Sequence, residues 1–122
     1  MVMTSPRQTQ RQDVMRWWHQ TRHYAQLSDK LTRTSAQDLG RVRNIDRVLL
    51  ELEMQMHTVE DIYCPESATK LQRALLAFMT NLVAALRHTR IGNDDDRNVI
   101  FDIAMVDKQM LTLYLDEYGL SM

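Results

Sequence analysis

Residues 42–63, VRNIDRVLLELEMQMHTVEDIY, decide the fold of this chain. Their apolar side chains recur at alternating spacings of three and four residues, which is the a/d repeat of a helix packed against other helices. The members of this ladder are Val42, Ile45, Leu49, Leu52, Met56, Val59 and Tyr63. The ladder therefore predicts a helical bundle, and it indicates no particular chemistry.

The composition is that of one folded helical domain. The chain has 122 residues, 44% of them hydrophobic and 25% charged, which is long and apolar enough for a single core spanning residues 1–122. Only three glycines and two prolines leave little room for turn-rich β structure. The N-terminal residues lack the apolar core of a signal peptide, and no apolar run approaches the roughly 20 residues of a membrane helix. We expect a cytoplasmic protein without membrane contact, with residues 1–5 disordered.

Residues typical of helix starts and stops divide the chain into four helices. Pro6 is placed to open the first helix, and Gly92 followed by Asn93 is typical of one helix end and the next helix start. Pro65 separates the second and third helices, because the residue before a proline avoids the α region. We predict helices at residues 6–33, 36–63, 65–91 and 94–118. Their short connections favour antiparallel neighbours, so the predicted fold is an all-α, up-down-up-down four-helix bundle.

The third and fourth helices carry more apolar surface than one bundle core requires. In the fourth helix, one apolar stripe comprises Val99, Ile103, Val106, Met110 and Leu113, and a second stripe lies beside it. The second stripes of the two helices are predicted to contact another copy of the chain, so we expect a homo-oligomer, most simply a dimer. The predicted interface residues are Leu76, Met79, Val83, Leu86, Ile100, Phe101, Ala104, Met105 and Leu111. The alternative is that both helices lie deep in their own bundle.

Charge is unevenly distributed along the chain. Residues 1–47 contain nine basic and four acidic residues, a net charge of +5, whereas residues 48–122 contain six basic and twelve acidic residues, a net charge of −6. In the first helix, Arg11, Arg22 and Arg33 share one face, with Trp18 nearby. This group is a possible partner surface, because exposed aromatic and arginine side chains suit protein or nucleic-acid contacts. The alternative is that the basic face meets the acidic second half of the bundle.

Two pairs of side chains are weak candidates for a metal site. His19 and His23 are four residues apart, a spacing that lets two imidazoles share a metal ion, but the glutamate of the zinc-protease motif is missing. Glu53 and His57 have the same spacing, but the Glu-x-x-His motif of di-iron bundles does not occur. We expect no metal ion and no cofactor.

Asp107 is the candidate buried polar residue. Its neighbours on the same flank of the predicted helix are apolar, so its carboxylate requires a partner, for which Arg or Lys is the expected choice. It is either a general acid or base or a boundary residue that reaches water, and the second interpretation is favoured. Motifs for phosphate binding or a nucleophilic serine are absent from the sequence, and a single cysteine, Cys64, excludes an internal disulfide.

Three functions follow from these observations. The favoured one is a non-enzymatic helical interaction or scaffolding protein that self-associates. The alternative is a metal-binding or enzymatic four-helix bundle. The third is a nucleic-acid-binding protein that uses the basic first half, which the −6 charge on residues 48–122 disfavours. The chain is more readily explained as a binding protein than as an enzyme.

Overall fold

The chain folds into helices. A computed structural model describes residues 6–33 and 42–122, and the side chains of residues 10–33 and 44–122 within them. The described elements are α1 (Pro6–Arg33), α2 (Val42–Asp61), a 3-10 turn (Glu66–Ala68), α3 (Thr69–Arg90) and α4 (Asp94–Glu117). This confirms the all-helical prediction, and the described ranges contain no β-strand. The predicted disorder of residues 1–5 and the predicted start of the second helix at residue 36 lie outside these ranges.

Both α3 and α4 end at a glycine in the left-handed conformation. The φ angles are +76° at Gly92 and +68° at Gly119, a region that side chains other than glycine enter at a cost. In each case the amide after the glycine donates to the carbonyl five residues earlier, at 2.9 and 2.8 Å respectively, as in a Schellman motif. The Asn93 side chain then accepts a hydrogen bond from the Asp96 amide and caps α4. The predicted boundary between α3 and α4 is confirmed.

The connection between α2 and α3 is longer than predicted. α2 ends at Asp61, and Tyr63 lies outside the helix with 78% of its surface exposed, so its predicted place in the ladder is wrong. Pro65 is extended, with φ −64° and ψ 150°, and the 3-10 turn after it delays the start of α3 to Thr69. Proline disfavours the α conformation in the residue before it, here Cys64. Helical geometry therefore cannot continue from α2 through Cys64 to Pro65.

The buried side of α2 differs from the predicted ladder at two positions. At each of them the buried residue comes one position earlier in the sequence than predicted. Leu49 and Met56 are only half-buried, and the Val42 side chain lies outside the described residues. The buried residues are Ile45, Val48, Leu52, Gln55 and Val59. Their spacings are again three and four residues, so α2 packs through one heptad seam. In this seam Val48 and Gln55 take the places that were predicted for Leu49 and Met56.

The described side chains form a core of two buried clusters. The larger joins side chains of α1, α3 and α4, among them Trp17, Phe78 and Leu111, together with Val59 at the end of α2. The smaller lies between α2 and α3 and comprises Ile45, Val48, Leu52, Leu82, Val83 and Leu86. α3 contributes several side chains to each cluster, whereas α2 adds only Val59 to the larger one, so α3 is the helix that joins the two parts of the core.

Surface ion pairs accompany the contact of α2 with α3. Arg87 donates to Glu53, and Arg90 Nε donates to Asp46 Oδ1 at 2.5 Å. Both carboxylates therefore face basic residues of α3. All four side chains are at least two-fifths exposed, so each pair contributes at most about 1 kcal/mol to folding.

A partly buried ion pair joins α1 to α4. Lys108 Nζ lies 2.6 Å from Asp29 Oδ1, and the other oxygen of the same carboxylate is 2.9 Å from Arg33 Nη2. The Asp29 side chain is only 15% exposed, so these two cations take the place of much of the water around its carboxylate.

Replacing Lys108 by methionine is expected to destabilise the fold by about 1–2 kcal/mol, because Asp29 loses one of two cations but keeps Arg33 and some contact with water. The double variant Asp29→Asn/Lys108→Met is expected to recover part of this loss, since the charge that remains, on Arg33, is exposed to water. Denaturant unfolding at neutral pH measures both free energies. Equal stability of the wild type and Lys108→Met would show that the carboxylate does not depend on Lys108.

Candidate protein-interaction surface

The residues predicted to form an interface lie mostly inside the chain's own core. Met79, Val83, Leu86, Ala104 and Leu111 are buried. Leu76, Ile100, Phe101 and Met105 are partly buried and pack against the two core clusters or lie at their edge. The five buried residues are not available to a second copy, because the close packing of α3 and α4 covers their side chains within one chain. The place of the four partly buried residues in an interface stays a prediction.

The apolar side chains that α4 leaves exposed belong to its other stripe. We call this set the α4 stripe; its exposed fractions run from 38% to 61%. It comprises Val99, Ile103, Val106, Met110 and Leu113. The sequence pattern predicted this stripe as part of the bundle seam, so the two stripes of α4 have exchanged their expected roles.

Helix geometry separates the middle of the α4 stripe from the buried side of the same helix. At 100° per residue, Val106 lies about 160–180° from Ala104 and from Leu115, both fully buried. α4 is therefore apolar on two opposite sides, one packed against α3 and one facing outward. An exposed, contiguous apolar strip on an otherwise charged helix is typical of a protein-binding site.

The α4 stripe has the register of a coiled-coil seam. Its spacings of four, three, four and three residues place Ile103 and Met110 at a positions, and Val99, Val106 and Leu113 at d positions. The g positions of the same register are Asp95, Asp102, Gln109 and Asp116. All four g side chains are exposed, and three are carboxylates. The sequence shows this seven-residue spacing, with an acid at three of the four positions, and the spacing distinguishes the exposed stripe from the second stripe.

A groove of about 590 Å³ adjoins the α4 stripe. Among the described residues it is lined by Met105, Lys108, Gln109, Thr112 and Leu113. Leu113 belongs to both the stripe and the groove, so the groove extends the apolar surface along one flank of α4.

Trp18 is not available as part of a partner surface. It is 3% exposed, and its indole Nε1 donates to the Ser121 carbonyl at 3.0 Å, which holds the C-terminal residues on α1. The prediction of an exposed Trp18 is therefore wrong, because the chain folds back over this side of α1 after Gly119. Arg11, Arg22 and Arg33 are exposed as predicted, and Arg33 forms an ion pair with Asp29.

The predicted metal candidates do not come together. His19 and His23 are exposed on α1, and the His23 ring packs edge-on against Tyr24 at 5.6 Å. On α2, Glu53 pairs with Arg87, while His57 Nδ1 lies 3.9 Å from Glu60. In the described part of the chain, no three His, Cys, Asp or Glu side chains are grouped closely enough to hold a metal ion.

Asp107 is half-buried, and its partner differs from the prediction. Its Oδ2 accepts a hydrogen bond from the Asn81 side-chain amide of α3 at 2.5 Å, so a neutral amide takes the place of the expected Arg or Lys. This bond links α3 to α4. Asp107 thus has an amide partner and access to water at the edge of the core. This environment agrees with its interpretation as a boundary residue.

Cys64 lies in the connection after α2 and is partly buried. Burial raises the pKa of the Cys64 thiol above its ordinary value, because desolvation disfavours the thiolate. The reactive form of a cysteine is the thiolate, so this environment lowers the reactivity of Cys64 at neutral pH.

The chain matches no known protein-family model, and the comparisons with curated proteins and with solved structures give no match. Within the part of the chain that the structure describes, no helix is long and apolar enough to cross a membrane.

Proposed function

We propose that this chain is a non-enzymatic helical interaction or scaffolding protein, and that its binding surface is the α4 stripe. One observation carries the proposal: five apolar side chains in coiled-coil register lie exposed on the outer side of a helix whose inner side is already packed. Burying apolar surface is the main favourable contribution to protein association. The cytoplasmic location expected from the sequence remains a prediction.

An antiparallel up-down-up-down arrangement of the helices is part of this proposal. It is supported by the order of the ion pairs between α2 and α3, in which the earlier residue Asp46 meets the later residue Arg90, and Glu53 meets Arg87. Short connections between the helices favour the same topology. In such a bundle each helix, α4 included, has one outward side that is free for a partner.

We propose that a second copy of the chain binds weakly to the α4 stripe, most simply as a dimer. From Val99 to Leu113 the stripe spans about 21 Å, at 1.5 Å per residue. A single-helix contact of this length belongs to the small interfaces that are weak and transient. Self-association through this stripe replaces the interface predicted from the sequence on residues that the core has buried.

Light scattering over a wide range of protein concentration tests this proposal. The average mass is expected to rise toward twice that of the monomer at high concentration. The variant Ile103→Ser/Val106→Ser is expected to weaken association at least about tenfold, because it removes two apolar side chains from the middle of the seam. The matched control is Leu50→Ser/Met54→Ser on α2, where both side chains are also exposed.

A strictly monomeric protein at the highest concentration would contradict self-association. Equal weakening by the α2 control would show that general surface hydrophobicity, rather than the α4 stripe, causes the association. The metal-binding and nucleic-acid hypotheses stay open as predictions, and no contact among the described residues favours either of them.

A further inference from the structure

The charges beside the α4 stripe are all of one sign. Three of the four g positions, Asp95, Asp102 and Asp116, carry exposed carboxylates, and Glu117 continues the a positions at the end of the helix. In coiled coils the e and g charges set the choice of partner. A partner for this stripe therefore meets an apolar seam with an acidic border.

The basic residues of α4 do not offset this border. α4 contains two of them, Arg97 and Lys108. Helix geometry places both on the inner half of α4, about 160–180° from Val106. Lys108 is also engaged by Asp29 of α1 at 2.6 Å. The outward half of α4 thus presents carboxylates without a cation of its own.

A second α4 is consequently a poor electrostatic match. In an antiparallel pair, g positions face g positions, so carboxylates would meet carboxylates or Gln109. In a parallel pair, g positions face e positions, and Asp102 would meet Asp107 of the second copy. Neither orientation supplies a positive charge, so repulsion opposes the weak dimer in both.

The basic α1 of a second copy is also a poor match for the stripe. Arg11, Arg16 and Arg22 are exposed there, but Met15 is the one large hydrophobic side chain strongly exposed on the described part of α1. A helix without an apolar seam cannot bury the five side chains of the α4 stripe. Neither a second α4 nor the described part of α1 offers both an apolar seam and flanking basic side chains.

We propose that the α4 stripe binds a basic amphipathic helix of a partner protein, with apolar residues at a and d positions and Lys or Arg at the flanking e or g positions. This inference rests on the proposed role of α4 as an interaction surface and adds the chemistry of the partner. The partner's cations pair with Asp95, Asp102 and Asp116, while its seam covers the stripe. The basic partner helix competes with the weaker dimer for the α4 stripe.

Two synthetic helices test the proposal. Each matches the 24 residues of α4 and carries Leu at a and d; one has Lys and the other Glu at all e and g positions. Because their like charges repel, each probe stays monomeric at low concentration. Fluorescence anisotropy of a labelled probe, at protein concentrations below the onset of self-association, measures binding to the full chain.

The Lys probe is expected to bind at least about tenfold more tightly than the Glu probe in about 0.05 M NaCl. In about 0.5 M NaCl the difference is expected to fall to threefold or less, because salt screens exposed charges. The variant Asp102→Lys/Asp116→Lys is expected to reverse the preference. The matched control Glu51→Lys/Asp61→Lys, which changes exposed carboxylates of α2, is expected to preserve it.

Equal binding of the two probes, or tighter binding of the Glu probe, would overturn the inference. A dimer that persists in light scattering at a saturating concentration of the Lys probe would also overturn it, because a second copy would then be the preferred occupant. Light scattering reports the dimer separately. A dimer with no preference between probes therefore refutes only the basic partner, whereas probe binding without a dimer refutes only self-association.

Discussion

Phe78→Ala is expected to lower the free energy of unfolding by about 3–5 kcal/mol, a large fraction of the stability of a domain of this size. Phe78 is fully buried on α3, the helix that contributes to both core clusters. Truncation to alanine removes the ring from the larger cluster and leaves a cavity that the surrounding helices can close only partly. Urea unfolding followed by circular dichroism measures the loss, which is large enough for partial unfolding at room temperature.

The control for Phe78→Ala is Leu50→Ala. Leu50 is 60% exposed on α2, so its truncation is expected to change the unfolding free energy by less than about 0.5 kcal/mol. Similar losses for the two variants would mean that Phe78 is not a core residue and would contradict the central position of α3.

Leu111→Asp and Met110→Asp are expected to have opposite consequences although the residues are adjacent. Leu111 is fully buried on the inner side of α4, so an aspartate there loses an apolar side chain and buries a charge without a partner. We expect a loss of about 4 kcal/mol or more, which leaves little folded protein. Thermal unfolding and the intensity of the helical circular dichroism signal measure it.

Met110→Asp is expected to leave the fold intact. Met110 lies on the outer side with 38% of its surface exposed, so the change in unfolding free energy is expected to stay within about 0.5–1 kcal/mol. Its effect falls on association instead: the dimer is expected to weaken at least about tenfold, because an aspartate interrupts the middle of the seam. Unfolding of both variants would place Met110 in the core and remove the α4 stripe as a binding surface.

These two adjacent residues illustrate how far sequence patterns reach. The a/d ladder of residues 42–63, the caps at Gly92 and Asn93, and the scarcity of Gly and Pro were sufficient to predict four helices. A cap or a heptad involves residues that lie within one or two helical turns of each other. Such patterns can therefore be recognised without knowledge of the partner helix.

The two apolar stripes of α4 could not be assigned in this way. Each has helical spacing, so periodicity predicts that both are apolar but does not indicate which one faces α3. The packing of α3 on α4 selects the stripe containing Ala104 and Leu111, since both side chains are fully buried in one cluster with side chains of α3. The other stripe, around Val106, is left outside.

The same distinction applies to the polar residues. The sequence alone identified Asp107 as a carboxylate beside apolar neighbours, but its partner Asn81 is 26 residues away and was found only in the folded chain. Burial of Trp18 depends equally on the return of Ser121 across α1.

The sequence by itself determined the class of structure, the boundary between α3 and α4 and the acidic g positions of α4, because these follow from local conformation and from spacing along one helix. Only the tertiary structure decided which apolar side of α4 is buried in the core and which stays exposed. The physical reason is that burial is a property of pairs of surfaces, and the pairing of α3 with α4 is specified by side-chain shape across the contact.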